Sequence, residues 1–235
     1  MDGKCYSICP LRIGRSRSTS EIRTRMKKLL TATTLILSAL CLPAVQAAEG
    51  DVGVEAAMDD RYCTTCHGVE GIGNMAVEAP RLAGMESWYL KRQLENFRAG
   101  IRGTHEQDTQ GIAMRPMATK LSGESIEDIV AWVGSWEYVP AQATIEGDIN
   151  QGRSAFQSCA ACHGANAEGN EALGAPALAG QNDWYMVTQL KNFRAGFRGA
   201  HPEDTYGSQM LSMSKALGDD RAVINVVSYI NTLVK

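Results

Sequence analysis

The chain has 235 residues, 44% of them hydrophobic and 21% charged, the balance of a globular protein with room for one large domain or two of ordinary size. Its charge is unevenly placed: residues 1–47 hold 8 of the 23 basic side chains and 2 of the 26 acidic ones, leaving 15 against 24 in the remainder, a net charge of −9. That surplus argues against nucleic acid or an anionic membrane surface as partner and favours a basic docking patch on another protein.

In chain order, residues 1–25 are polar and arginine-rich and read as an upstream extension outside the native precursor. Met26, Lys27 and Lys28 open a positive region, the apolar run Leu29 to Leu42 follows, and Val45-Gln46-Ala47 supplies the small residues of an export cleavage site. Residues 26–47 are therefore expected to be a secretory signal peptide, which places the mature protein in the periplasm. Thr31, Thr33, Thr34, Ser38 and Pro43 break the apolar run short of the roughly 20 residues that a membrane span requires. No span is expected after cleavage. Of seven cysteines, Cys5, Cys9 and Cys41 fall in or before this leader, and the other four form two CxxC pairs.

Beyond the leader the chain repeats itself. Residues 63–122 and 159–218 superpose at a constant offset of 96 without a gap, and 22 of the 42 positions from Pro80 to Leu121 are identical in the second copy. The repeat sets the first domain at 49–138, a linker at 139–147 containing Pro140, and the second domain at 148–235. Trp88 to Ala99 carries Trp88, Leu90, Leu94 and Phe97 at helical spacing. Ser125 with Asp128 resembles a capping box, followed by a stripe of Ile126, Ile129, Val130, Val133 and Trp136. Its copy runs Val223, Val226, Val227, Ile230 and Leu233. No segment alternates as a strand would, so an all-α fold is expected. Each half is about 90 residues and glycine-rich, so its apolar core alone would be modest, and a large buried cofactor would enlarge it.

Cys63-Thr64-Thr65-Cys66-His67 and Cys159-Ala160-Ala161-Cys162-His163 are both CxxCH, the attachment signature of c-type haem. On one helical turn, cysteines three apart reach the two vinyl groups of one porphyrin, and the next residue is directed beneath the iron. Cys63, Cys66, Cys159 and Cys162 are thus expected to bind two haems covalently, with His67 and His163 as proximal iron ligands. Each histidine needs an acceptor on its other ring nitrogen. The sixth ligand must lie further along, where Met114 matches Met210 and Met117 matches Met213; a thioether favours reduced iron. His105 and His201 are also matched, but their polar settings RGTHEQDT and RGAHPEDT read as surface loops. Trp88, Tyr89, Trp184 and Tyr185, together with Arg102 and Arg198, are candidates to bind the haem propionates.

With the doubled CxxCH, the Pro-x-Leu-Ala-Gly segments and the downstream methionines, the sequence resembles the class I cytochromes c, and in its tandem form the dihaem cytochrome c4 family. The resemblance implies two class I domains, each wrapped round one covalently attached haem. It implies that Pro80 and Pro176 offer their carbonyls to His67 and His163, and it selects Met114 and Met210 as ligands over Met117 and Met213. The function it implies is transfer of single electrons between redox proteins, for example from a quinol-oxidising complex to a terminal oxidase or reductase. A dedicated electron-accepting subunit of a periplasmic dehydrogenase is the alternative. A dihaem peroxidase is the enzyme reading, and the matched methionines argue against it.

Overall fold

The structure, a computed structural model, describes residues 60–233; the extension, the signal peptide and the start of the first domain lie outside the described residues. Both repeats belong to one compact unit. The first contributes α1 (Asp60–His67), α2 (Ser87–Arg98), α3 (Thr109–Thr119) and α4 (Gly123–Gly134). The second contributes α5 (Ile149–His163), α6 (Asp183–Ala195), α7 (Thr205–Ser214) and α8 (Asp220–Ile230). Two isolated bridges, Asn74 to Ala79 and Asn170 to Ala175, pinch the loops after α1 and α5. No helix among the described residues is long and apolar enough to cross a membrane.

The cores form where the apolar stripes of these helices meet. Leu90, Leu94 and Phe97 of α2 pack against Ile126, Ile129, Val130 and Val133 of α4. Met186 and Phe193 of α6 pack against Val223, Val226, Val227 and Ile230 of α8, with Phe156 of α5 beneath them. Each such buried aliphatic contributes about 1.5–3 kcal/mol of transfer free energy. Helices α5 and α8 cross at Gly152, where an added Cβ would lie 2.0 Å from the Asn225 carbonyl oxygen, so only glycine lets the backbones approach this closely.

Local polar chemistry starts the helices. Asp108 and Asp204 accept hydrogen bonds from the N–H groups of Gly111 and Gly207 at the starts of α3 and α7. A Cβ on either glycine would fall 2.1 or 2.0 Å from that carboxylate, which explains the repeated Asp-Thr-x-Gly text. The start of α4 differs from expectation. Ser122, not Ser125, is the cap: its backbone is extended and its Oγ accepts from the Ser125 N–H. Ser125 stands three residues inside the helix, buried, and its hydroxyl pairs with that of Ser122 at 2.9 Å.

The segment joining the domains is seated rather than loose. The Tyr138 ring covers Gly84 and its hydroxyl reaches Gly180; a Cβ at either glycine would collide with it at 2.0 and 1.9 Å. The Arg81 guanidinium lies 5.4 Å from the centre of that ring. Ala141 donates to the Gly180 carbonyl, and Thr144 and Ile145 donate to the buried Asp183 carboxylate.

Candidate functional site

Helix α1 ends on Cys63, Cys66 and His67, and α5 on Cys159, Cys162 and His163, because the next residues, Gly68 and Gly164, take φ of +80° and +82° and turn the chain away. Each triplet lines a cavity, of about 240 Å³ in the first domain and about 600 Å³ in the second. The walls are mostly apolar, with Leu82, Leu90, Leu94 and Phe97 among those in the first and Leu178, Met186, Leu190 and Phe193 in the second. Met114 and Met117 line the first cavity, Met210 and Met213 the second.

Both histidines are buried. Nδ1 of His67 stands 2.7 Å from the Pro80 carbonyl oxygen, and Nδ1 of His163 stands 2.7 Å from that of Pro176. A carbonyl can only accept, so Nδ1 carries the proton and Nε2 keeps its lone pair for a metal. Burial lowers the pKa of both rings, against the opposing pull of the proline carbonyls and, at His163 alone, of the Glu86 charge. Neutral imidazole is the form an iron ligand requires.

The cysteines do not resemble a reactive redox pair, whose nucleophilic thiol has a depressed pKa. Burial, with Cys66 nearby, pushes the Cys63 thiol up to about 11, and burial also raises Cys159. Among the described residues no group of three or more His, Cys, Asp or Glu side chains is arranged to hold a metal ion. Two thiols and one neutral imidazole at the rim of an apolar cavity fit a covalently attached haem, which brings its own nitrogen ligands.

Between the cavities lies a polar seam with approximate two-fold symmetry. Arg102 donates to Gln93 (2.9 Å), and across the seam to Gln189 (3.1 Å) and the Tyr185 hydroxyl (3.3 Å). Arg198 donates to Gln189 (2.7 Å), and across it to Gln93 (2.8 Å) and the Tyr89 hydroxyl (3.1 Å). Each guanidinium rests on a phenylalanine, Phe97 at 4.4 Å and Phe193 at 4.5 Å. Burial would raise the Tyr185 pKa, but Arg102 and Arg198 outweigh it and lower it. Two buried cations share neutral acceptors here, and their Nε atoms and Gln189 Nε2 are buried without hydrogen-bond partners. Buried charge of one sign calls for the other. The carboxylates of two haems would supply it, and Tyr89, Tyr185 and Gln189 line both cavities.

The structure thus gathers Cys63, Cys66, His67, Pro80, Met114, Tyr89 and Arg102 round one cavity. Round the other it gathers Cys159, Cys162, His163, Met210, Tyr185 and Arg198, with Pro176 bonded to His163. Trp88 and Trp184 line neither; they pack edge-on to Tyr89 and Tyr185, at 5.8 and 6.3 Å. His105 and His201 lie outside both, each Nδ1 accepting a backbone N–H two residues on, and His105 stacks on Phe197 of the other domain at 4.7 Å. Gln93 and Gln189 escaped the sequence reading. Their signal was present in the text WYxxxQL, an identical polar residue at matched positions of two otherwise apolar helix faces.

A second exchange crosses the seam nearer the histidines. Glu86 and Asn182 are the N-cap residues of α2 and α6, yet neither side chain caps its own helix. Glu86 Oε1 instead accepts from the Ala177 N–H at 2.8 Å, and Asn182 Oδ1 from the Arg81 N–H at 2.7 Å.

Comparison with known proteins agrees with this geometry. The cytochrome c family model, described as "Cytochrome c", matches twice, at residues 54–137 and 149–234. Cytochrome c4 of Pseudomonas aeruginosa is 32% identical over 217 residues, 88% of this chain and all of that protein. The thiosulfate dehydrogenase electron acceptor of Stutzerimonas stutzeri is 32% identical over 171 residues, 67% of this chain and 73% of that one. The crystal structure of reduced cytochrome c4 from Pseudomonas stutzeri superposes with a TM-score of 0.54 at 28% identity, covering 77% of this chain and 94% of that one. The chain therefore belongs to the cytochrome c family, as a two-domain, all-α dihaem member that transfers electrons through two covalently bound haems c.

Proposed function

We propose that this cytochrome serves in the periplasm as a mobile carrier of single electrons between redox proteins, docking through its acidic surface on a basic patch of each partner. The observation that carries this reading is the matched donor set: Cys, Cys, His and Met line each cavity at the same repeat positions. Haem, when bound, supplies a one-electron Fe(III)/Fe(II) couple.

The remaining work belongs to the side chains. Cys63 and Cys66, and Cys159 and Cys162, hold the two haems by thioether bonds. His67 and His163 would supply Nε2 to iron, with ring plane and tautomer fixed by Pro80 and Pro176. Met114 and Met210 would each offer iron a soft thioether, which favours the reduced state. Leu90, Leu94 and Phe97, and their counterparts, keep water from the iron. Arg102 and Arg198, with Tyr89 and Tyr185, would hold the propionates at the seam. With a histidine and a methionine donor lining each cavity, the chemistry that the haems would supply is outer-sphere electron transfer.

A titration with reductant, followed in the far red where iron–methionine bonding absorbs, tests this. Two low-spin haems are expected, both showing that band, with Met114→Ala and Met210→Ala each removing half of it and Met117→Ala and Met213→Ala leaving it. One high-spin haem that binds carbon monoxide readily would overturn the carrier reading in favour of an enzyme. The relative named as a thiosulfate dehydrogenase electron acceptor favours one other reading, a subunit committed to a single dehydrogenase. Co-purification with such an enzyme at high salt would decide for it; salt-sensitive, short-lived encounters decide for the mobile carrier.

A further inference from the structure

We infer that Glu86 and Asn182 are positioning residues that tune the iron of the opposite domain, each acting through the single peptide group that supports the proximal histidine there. The inference rests on the ligand roles of His67 and His163 proposed above. The Pro176 carbonyl that faces His163 Nδ1 and the Ala177 N–H that donates to Glu86 are two ends of one peptide unit. In the first domain the Pro80 carbonyl faces His67 Nδ1, and the Arg81 N–H of the same peptide donates to Asn182. Each imidazole is thus joined, through one amide, to a side chain from across the seam.

The exchange is built rather than incidental. Both residues occupy N-cap positions, where an asparagine ordinarily bonds the first turn of its own helix, and both side chains are turned away from that turn. The space they enter is cleared by a matched pair of glycines. A Cβ on Gly73 would lie 2.3 Å from Asn182 Oδ1, and one on Gly169 would lie 2.8 Å from Glu86 Oε1. Asn182 also extends Nδ2 to the Ile72 carbonyl at 3.5 Å.

The two halves of the exchange differ in charge. An amide whose N–H binds an anion carries more electron density on its oxygen, because hydrogen bonds in a chain polarise one another. That oxygen draws harder on the Nδ1 proton, and the imidazole becomes a more basic ligand, which favours ferric iron. Glu86 does this to the second site with a carboxylate, whereas Asn182 offers the first only a neutral amide. The residue that supplies the N–H differs in the same sense. Arg81 is a buried cation whose Nε has no partner, and its counterpart is Ala177. A buried positive charge in the first domain favours the ferrous state there. Both differences lower the potential of the second haem relative to the first.

The test uses the full dihaem protein, with each haem's midpoint potential assigned by NMR of its methyl resonances. Glu86→Gln retains an oxygen for the Ala177 N–H and removes only the charge. It should raise the second haem's potential, shifting its ferric-to-ferrous ratio at fixed solution potential by about three- to tenfold, tenfold being about 59 mV for one electron, and leave the first unmoved. Asn182→Asp should lower the first and leave the second. In the reduced protein the His163 Nδ1 proton resonance should move upfield in Glu86→Gln while that of His67 stays. Unchanged potentials, or equal shifts of both haems, in protein that keeps two low-spin spectra would overturn the inference. If the ligand assignment itself were wrong, the unsubstituted protein would already lack those spectra, so the two failures are distinguishable.

Discussion

Between the attachment helix and the supporting proline, the first domain places Val69, Ile72, Met75 and Val77 on its surface, each at least half exposed. At the same repeat positions the second domain has Ala165, Glu168, Glu171 and Leu173. Inside, the copies hardly differ: the cavities take the same donors, and the seam takes the same arginine, glutamine and tyrosine from each side. Identity is retained in the cysteine, histidine and methionine donors and in the arginine, glutamine and tyrosine of the seam. It is relaxed where a side chain meets solvent or a partner, and in the peptide relay behind the histidines.

The largest break in that equivalence comes from removing an attachment site. Cys63→Ala with Cys66→Ala, or Cys159→Ala with Cys162→Ala, should halve the haem per chain by pyridine haemochrome assay and unfold the stripped domain, whose core is completed by the haem. Smaller is the effect of Asp183, which has Ser87 at its matched position in the first domain. Its buried carboxylate accepts from Thr144, Ile145, Trp184 and Asn231. Burial would raise its pKa, but hydrogen bonds from Thr144 and its neighbours outweigh that and lower it. Asp183→Ala should cost about 3 kcal/mol in thermal unfolding. Because the folded carboxyl titrates below the unfolded one, its contribution is complete above the ordinary aspartate range and fades as pH falls through the folded pKa. Asp183→Asn should therefore flatten the acid side of the stability profile.

Gly152→Ala should destabilise the second domain by about 1–3 kcal/mol, since its methyl meets backbone that cannot swing aside. Calorimetry that resolves the two domains checks whether the loss stays there. Least affected should be the surface pairs that tie α2 to α4 and α6 to α8, Lys91 with Glu127 and Asp220 with Lys191 and Arg194. Asp220→Asn should move the unfolding temperature barely above error, and not at all in high salt.

Much of this could be read from the chain. The doubled CxxCH, the matched methionines and the apolar stripes of α2, α4 and α8 are local or periodic features, and the offset of 96 put the copies in register. The seam could not be read in the same way, because it pairs residues 80 to 110 positions apart and periodicity does not say which two faces meet. Arg102 and Tyr89 were recognisable as propionate candidates, whereas the glutamines that organise them were not, since a glutamine on a helix is ordinarily solvated. The cap of α4 was misplaced because Ser122 and Ser125 are chemically equivalent, and only the extended backbone at Ser122 separates them. Trp88 and Trp184 adjoin Tyr89 and Tyr185 in sequence but, one residue earlier, face about 100° away round the helix and line neither cavity.

The seating of the joining segment has a consequence for how this protein can be divided. Tyr138 closes over a glycine from each domain, and the threonine six residues later is fastened to α6. A duplicated chain usually stays modular, its halves separable at the spacer. Here the spacer is part of the masonry: cutting it apart would uncover Gly84 and Gly180 together, strand two backbone N–H groups behind the histidines, and leave each seam arginine with only its own domain's glutamine. Two copies of one domain form a single object that has no place to be cut.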